Sequence, residues 1–141
     1  MTVVTAHGSL GPVGLTASAF SSLSLDPPLI LVCVGKDGAS HDPVVAADGF
    51  AVHLLSESQE SLSNRFARAG EDKFSDIAWE AGPFGAPLLG GSLARLACKR
   101  ENVFDGGDHS ILVGRVIDAE LSGGRPLLYW MGGYRGLAPS A

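Results

Sequence analysis

The stretch Gly14-Leu15-Thr16-Ala17-Ser18-Ala19-Phe20-Ser21-Ser22-Leu23-Ser24-Leu25-Asp26-Pro27-Pro28-Leu29-Ile30-Leu31-Val32 decides the fold. It is rich in small hydroxyl residues, stops at a double proline and continues into a wholly apolar run. Proline cannot donate to a β ladder, so we expect Pro27 and Pro28 at the start of a strand. The unbroken apolar character of Leu29 to Val34 predicts a central strand that is buried on both faces.

The hydroxyl side chains of this stretch are open to two interpretations. Each hydroxyl both donates and accepts hydrogen bonds, and short side chains leave backbone N–H groups accessible, which suits a polyanionic or heteroaromatic ligand. Serine also satisfies turn backbone locally, which would make the stretch a serine-rich edge strand that ends in a turn. The residues alone leave both interpretations open.

Composition favours a single turn-rich β domain over residues 1–141. A length of 141 residues fits one core of roughly 100–150 residues. With 45% apolar residues the chain can form a core, while 18% charged residues and 19 glycines favour β structure over a helical bundle. The net charge of −5 argues against a nucleic-acid partner, which would require clustered lysine and arginine.

No apolar run approaches the roughly 20 residues of a membrane span, and strand-like sequence rather than a signal peptide follows Met1. We therefore expect a cytoplasmic protein with no membrane partner. Cys33 and Cys98 lie in apolar strand-like runs without CxxC spacing, which predicts two buried thiols and no disulfide.

Hydrophobic alternation and turn residues predict six or seven strands with short helices inserted between them. The predicted strands cover residues 2–6, 13–20, 29–34, 50–55, 93–104, 109–117 and 127–130. Asp42-Pro43 predicts the N-cap and first position of a helix over 44–47, and Ser56-Glu57-Ser58-Gln59 has the form of a capping box before a helix that ends at Gly70. The uneven strand spacing favours an antiparallel barrel over a sandwich.

Several spaced motifs resemble the flavin reductase-like family. They are Thr2-Val3-Val4-Thr5, the opening stretch, Gly107-Asp108-His109, and Tyr129-Trp130 through Tyr134-Arg135. The resemblance covers nearly the whole chain. It implies an antiparallel, Greek-key type FMN-binding split β-barrel. It also implies an NAD(P)H-dependent reductase of FMN or FAD, of the kind that supplies reduced flavin to a partner monooxygenase.

The resemblance also implies a flavin site. It places ring and ribityl contacts on residues 16–19 and the phosphate near residues 36–40, with Lys36 either the phosphate counter-charge or a solvated turn lysine. Relatives often carry serine at the position of Ala19 and arginine at that of Ala39, so we expect a loosely held, releasable flavin. The implied flavin-contacting residues are Thr16, Ala17, Ser18, Ala19, Cys33, Val34, Lys36, Ser40 and Tyr134.

His109 is the predicted catalytic residue. It follows a glycine-rich turn, so its ring can project from the mouth of a barrel strand, and the family motif places it beside flavin and nicotinamide. There it could orient the nicotinamide or supply a proton, since imidazole titrates near pH 6.5. The alternative is a strand-end histidine bonded to backbone.

The remaining polar residues give weaker signals. His53 is expected to be half-buried and hydrogen-bonded, at a position where relatives often carry asparagine, whereas His41 is expected to be solvated or to start a helix. Arg65 and Arg68 are either solvated or candidates for the phosphates of NAD(P)H. No metal-ligand spacing is visible, so we predict no metal. No GxGxxG motif follows a strand, so the nicotinamide is expected in an open groove over the flavin.

Family members usually have a helical segment before the first strand, whereas this chain begins at Met1-Thr2. We expect the core surface left bare to favour a homodimer. We also expect residues 137–141 to form a frayed tail. Two alternatives to the reductase function stay open: an oxidoreductase with fixed FMN, and a non-catalytic flavin store or sensor.

Overall fold

The computed structural model describes residues 1–70 and 72–139, which form two helices and eleven strands. The helices are α1 (His41–Ala46) and α2 (Glu60–Ala67), and neither is long and apolar enough to cross a membrane. The strands are β1 (Thr2–Gly8), β2 (Gly11–Ala17), β3 (Phe20–Leu25), β4 (Pro28–Gly35), β5 (Gly49–Leu54), β6 (Trp79–Ala81), β7 (Pro87–Leu89), β8 (Ala94–Gly106), β9 (His109–Leu121), β10 (Leu128–Trp130) and β11 (Gly133–Arg135).

Seven strands form one antiparallel sheet in the order β2-β1-β5-β8-β9-β4-β3. One core cluster takes side chains from all seven, so the two edge strands β2 and β3 face the same interior. A flat sheet of this width could not bring its edges into one core, so the sheet is coiled into a barrel that is split between β2 and β3. The predicted mainly β, antiparallel split barrel is confirmed. The interior residues include Val4, Ala17, Phe20, Val32, Phe50, Cys98 and Leu112.

A second apolar cluster lies on the outer side of β1. Val3 points into it while its neighbour Val4 points into the barrel, as the two-residue period of a strand requires. α2 contributes Phe66 to this cluster, and β7 contributes Leu89. The outer cluster therefore fixes α2 against the β1–β2 edge of the barrel.

Two strand predictions were wrong. The predicted strand over 13–20 ends at Ala17, because the chain turns at Ser18 and Ala19, and β3 then runs back along β4. β3 is the serine-rich edge strand of the second interpretation. The strand predicted to be central and buried on both faces is β4, which lies one strand in from the β3 edge and is buried on alternate residues only.

The helix boundaries also differ from the predicted ones. α1 begins at His41, with Ser40 rather than Asp42 as its N-cap, because Pro43 is still within the first turn, where no backbone N–H bond is needed. The predicted capping box from Ser56 to Gln59 is confirmed, although it opens a 3-10 turn over Glu57–Gln59 before α2. α2 stops at Ala67 rather than before Gly70.

The prediction for the thiols was half right. Cys33 and Cys98 are both unpaired thiols, as expected, and burial raises the pKa of Cys98 to about 12. Cys33 is only half-buried, because it points away from the barrel interior on β4.

Strands β6, β7 and β11 were not predicted, since three residues are too few for periodicity to show. Of the predicted frayed tail, residues 140 and 141 lie outside the described residues.

His53 is fully buried rather than half-buried, and it joins three strands. Its Nδ1–H donates to Val3 O at 3.1 Å, and its Nε2 accepts the N–H of Leu89 at 3.0 Å. Nε2 must stay unprotonated to accept that bond. Burial lowers the pKa of His53 to about 4.

Acidification should therefore destabilise the protein through His53. Below the ordinary histidine pKa of 6.5 the unfolded chain binds a proton that the folded chain resists until about pH 4. The free energy of unfolding should fall across this window by about 3 kcal/mol from this group. Urea unfolding at a series of pH values measures the slope.

His53→Asn keeps one donor and one acceptor but does not titrate, so its stability should lose that part of the pH slope. His7→Asn, at an exposed histidine at the end of β1, is the matched control and should keep the wild-type slope. An unchanged slope in His53→Asn would contradict this account.

Candidate functional site

A cavity of about 420 Å³ lies where the β2 edge meets two other segments. Its walls are β2 from Pro12 to Thr16, the loop from Gly35 to His41 after β4, and the described residues between Phe66 and Phe74 at the end of α2. The volume lies within the range of small-molecule sites. Apolar and small residues line much of the cavity, and polar side chains lie between them.

The contact between α2 and β2 sets the shape of the cavity. A Cβ atom on Gly14 would lie 2.7 Å from Cε1 of Phe66 and 3.1 Å from Val4 O, so only glycine allows this approach. Thr16 Oγ1 donates to Ser63 O of α2 at 2.6 Å. The helix is thus held on the strand by one aromatic contact and one hydrogen bond.

Two residues that line the cavity donate hydrogen bonds to the carbonyl oxygen of Gly14. Ser40 Oγ donates to it at 2.9 Å and Lys73 Nζ donates to it at 3.0 Å. Lys73 Nζ also donates to Phe66 O at 3.1 Å. Burial lowers the pKa of Lys73. All three walls of the cavity therefore meet at one polar point.

His109 begins β9 directly after the Gly107-Asp108 turn, as predicted. It pairs with Gly35 of β4, and a Cβ atom on Gly35 would lie 3.7 Å from His109 Nε2. The ring therefore lies beside the glycine that lines the cavity. Nδ1 is 2.7 Å from Asp108 Oδ1, and the hydrogen bond from His109 lowers the pKa of Asp108. The side chain is 47% exposed, and it lies next to the cavity without being among the residues that line it.

His41 supports the loop beside this rim. It starts α1, as one of the expected alternatives had it, but its side chain is mostly buried rather than solvated. Nδ1 is 2.7 Å from Asp42 Oδ1, and Nε2 is 2.8 Å from Ser110 Oγ. Because Ser110 follows His109, this bridge ties the loop after β4 to the start of β9.

The structure brings three of the predicted flavin-contacting residues together in the cavity. They are Thr16, Val34 and Ser40. Ala17 is buried in the barrel core, and Ser18 and Ala19 form the exposed corner between β2 and β3. Their assignment as flavin contacts stays a prediction.

The other predicted residues lie elsewhere. The N–H of Cys33 donates to Ala19 O at 2.9 Å, one strand from the edge of the sheet. Lys36 forms an ion pair with Asp105, which lowers the pKa of that carboxyl group. The hydroxyl of Tyr134 lies 2.9 Å from Ser63 Oγ, so this residue docks on α2 and supports the cavity wall from behind.

The segment after α2 was missed by the sequence reasoning. Phe66, Arg68, Asp72, Lys73 and Phe74 line the cavity. The signal was present as two aromatic residues and two cations around a glycine, but from the sequence we only placed the end of a helix at Gly70 and named Arg68 as a candidate for the phosphates of NAD(P)H. Among the described residues, no group of three or more histidine, cysteine, aspartate or glutamate side chains could hold a metal.

The model of the flavin reductase like domain matches residues 1–138. The chain belongs to this family. The resemblance to the flavin reductase-like family, identified from the motifs, is therefore confirmed. A relative in Agrobacterium fabrum, the FMN reductase (NADH), is 43% identical over 95% of this chain and 76% of its own. The reductase subunit of a flavin-dependent monooxygenase from Rhodococcus jostii is 41% identical over 99% of this chain and 72% of its own.

Among solved structures, the NADH:FAD oxidoreductase of Streptomyces globisporus in complex with NAD and FAD fragments is 42% identical. It superposes with a TM-score of 0.93 over 99% of this chain and 86% of that chain. The chain spans 43% and 60% of the length of two relatives from Rhizobium meliloti, a probable flavin reductase and the reductase subunit of stachydrine N-demethylase.

Gly14→Ala tests the geometry of the cavity wall. The added methyl group would overlap the Phe66 ring, so we expect a loss of about 1–3 kcal/mol of stability together with weaker flavin binding. Thermal unfolding and flavin fluorescence titration measure the two effects.

Gly123→Ala is the matched control, since a Cβ atom there meets no atom within 4 Å. It should change stability by less than about 0.5 kcal/mol. Equal stability and flavin affinity of Gly14→Ala and Gly123→Ala would contradict the described packing.

Proposed function

We propose that the protein is an NAD(P)H-dependent flavin reductase that takes FMN or FAD as a releasable substrate. One observation carries the proposal. The chain superposes along almost its full length on an NADH:FAD oxidoreductase solved with NAD and FAD fragments. Family membership over residues 1–138 and the presence of FMN and FAD reductases among the relatives support it.

The residues that line the cavity support the binding of a flavin nucleotide. A flat ring needs backbone that can be approached closely, and Gly35 and Gly38 line the cavity without side chains. The side chains of Val13 and Leu15 give the cavity apolar surface on the β2 side. When bound, a flavin supplies the ring that accepts a hydride from the nicotinamide.

The protein's own contribution is positioning and one proton. Asp108 accepts a hydrogen bond from Nδ1 of His109, which orients the ring and leaves Nε2 outside that bond, on the side of Gly35. Nε2 can hold a proton there or donate to the carboxamide of a nicotinamide. The His41–Ser110 bridge keeps the loop and the start of β9 at a constant separation.

We propose that the active form is a homodimer that supplies a monooxygenase. Large apolar side chains are exposed on the sheet, among them Leu25 at 95%, Leu121 at 81% and Phe104 at 53%. A reductase subunit of a monooxygenase among the relatives favours such a partner. Two unpaired thiols fit a reducing compartment such as the cytoplasm. Light scattering that gives a monomer at working concentration would reject the dimer.

Mixing the purified protein with FMN or FAD and NADH or NADPH tests the activity. Loss of the absorbance of the reduced nicotinamide should greatly exceed the rate with free flavin alone. His109→Ala should lose about 100-fold in turnover and still bind flavin, because it removes a rim group and no cavity wall.

His7→Ala is the control for loss of a histidine, since His7 lines a different cavity beside α1. It should keep the wild-type rate. No oxidation above background in the wild type would reject the reductase. Flavin that remains bound through dialysis, with free flavin not reduced, would instead favour a fixed prosthetic group.

A further inference from the structure

The turn that carries His109 is not held by apolar packing. Residues 101–109 are all exposed, and a Cβ atom on Gly107 would meet no atom within 4 Å. β5 pairs with β8 only from Ala94 to Lys99, so the end of β8 pairs with β9 alone in the described part of the sheet. Hairpin ends with so little packing open readily in solution. The position of His109 therefore depends on the polar contacts that the turn makes.

Lys36, in the loop after β4, makes two contacts to this turn. Its ammonium group forms an ion pair with Asp105 of β8, and its backbone N–H donates to Asp108 O at 2.9 Å. Lys36 is the main cause of the lowered pKa of Asp105, and the N–H of Gly107 contributes to it. The lysine therefore joins the loop to the residues that lead into His109.

The proposed function leaves the ammonium group of Lys36 without a role. The residues on both sides of Lys36 line the candidate cavity, whereas Lys36 itself does not, and its side chain runs to β8 instead. On the other side of His109, the bridge from His41 to Ser110 joins the same loop to β9. His109 thus lies between two side-chain contacts that come from one loop.

We propose that Lys36 is a positioning residue, whose ion pair with Asp105 holds His109 beside Gly35 at the edge of the cavity. The inference rests on the proposed function and adds a residue that acts through His109 rather than on flavin or nicotinamide. Hydride transfer requires reacting atoms within roughly 3–3.5 Å of each other, so its rate is sensitive to displacement of a group that orients the nicotinamide. A small change in how often the turn is ordered therefore appears in turnover.

The size of the effect follows from the exposure of the ion pair. The side chain of Lys36 is 39% exposed and that of Asp105 is 80% exposed. An ion pair this exposed shifts an equilibrium by at most about fivefold. The backbone contact from Lys36 to Asp108 and the His41–Ser110 bridge do not require the lysine charge. Loss of the ion pair should therefore lower turnover about twofold to fivefold, which is far less than the loss of His109 itself.

The test measures kcat at saturating flavin and nicotinamide, together with the dissociation constants of FMN and riboflavin. Lys36→Met keeps most of the side-chain length and removes the charge, so kcat should fall about twofold to fivefold while both dissociation constants stay unchanged. Lys36→Arg keeps the charge and should keep the wild-type kcat. Exchange of the two charges, in Lys36→Asp with Asp105→Lys, should restore part of it.

Two comparisons separate the ion pair from general effects on the hairpin. Arg115→Met is the matched control, because Arg115 forms an ion pair with Glu101 that joins β9 to β8 and not to the loop. Its kcat should equal that of the wild type. Lys36→Met and Asp105→Asn should lower kcat by the same factor, and the double variant should lose no more than either single variant.

Three results would overturn the proposal. An unchanged kcat in Lys36→Met would mean that the ion pair does not position His109. Weaker binding of FMN with unchanged binding of riboflavin would make Lys36 a phosphate ligand. Losses that add up in the double variant would mean that Lys36 and Asp105 act separately.

Amide hydrogen exchange tests the order of the turn without any turnover. The amides of residues 105–110 should exchange about twofold to fivefold faster in Lys36→Met than in the wild type or in Arg115→Met. Unchanged exchange in an active enzyme would reject the positioning role and leave the reductase function in place. A wild type that does not oxidise NAD(P)H would reject the reductase function, and the exchange rates would then decide by themselves whether Lys36 holds the turn.

Discussion

The close approach of Phe66 to Gly14 is the contact on which the candidate site depends. It sets α2 directly against the β2 edge of the barrel, and a single methyl group would prevent it. The same glycine offers its carbonyl oxygen to Ser40 and Lys73, which come from the other two walls. One backbone position thus fixes both the apolar and the polar side of the cavity.

The hydroxyl residues between Thr16 and Ser24 serve two different parts of the structure. Thr16 is committed to α2 through Ser63, and it lines the cavity as it does so. The serines that follow belong to β3, whose outer edge is unpaired in the described sheet. This stretch therefore builds one wall of the proposed flavin site, and His109 and the segment after α2 place titratable and charged side chains beside that wall.

The sequence predicted what depends on local pattern and on order of motifs. Most of the barrel strands, the capping box at Ser56 and the turn before His109 follow from residue types at short spacing, whereas the corner that separates β2 from β3 was not predicted. The pairing of Lys36 with Asp105 joins positions that lie far apart in the chain, so no local pattern could show that this lysine is engaged. Lys73 likewise gains its place only when α2 meets β2.

The most direct measurement of the central claim is a crystal structure of the protein with FMN. We expect flavin density in the cavity between β2, the loop after β4 and the described residues from Phe66 to Phe74, with the ring near Gly35 and His109. Flavin bound outside that cavity, with Phe66 and Gly14 still in contact and the cavity filled by solvent, would contradict it.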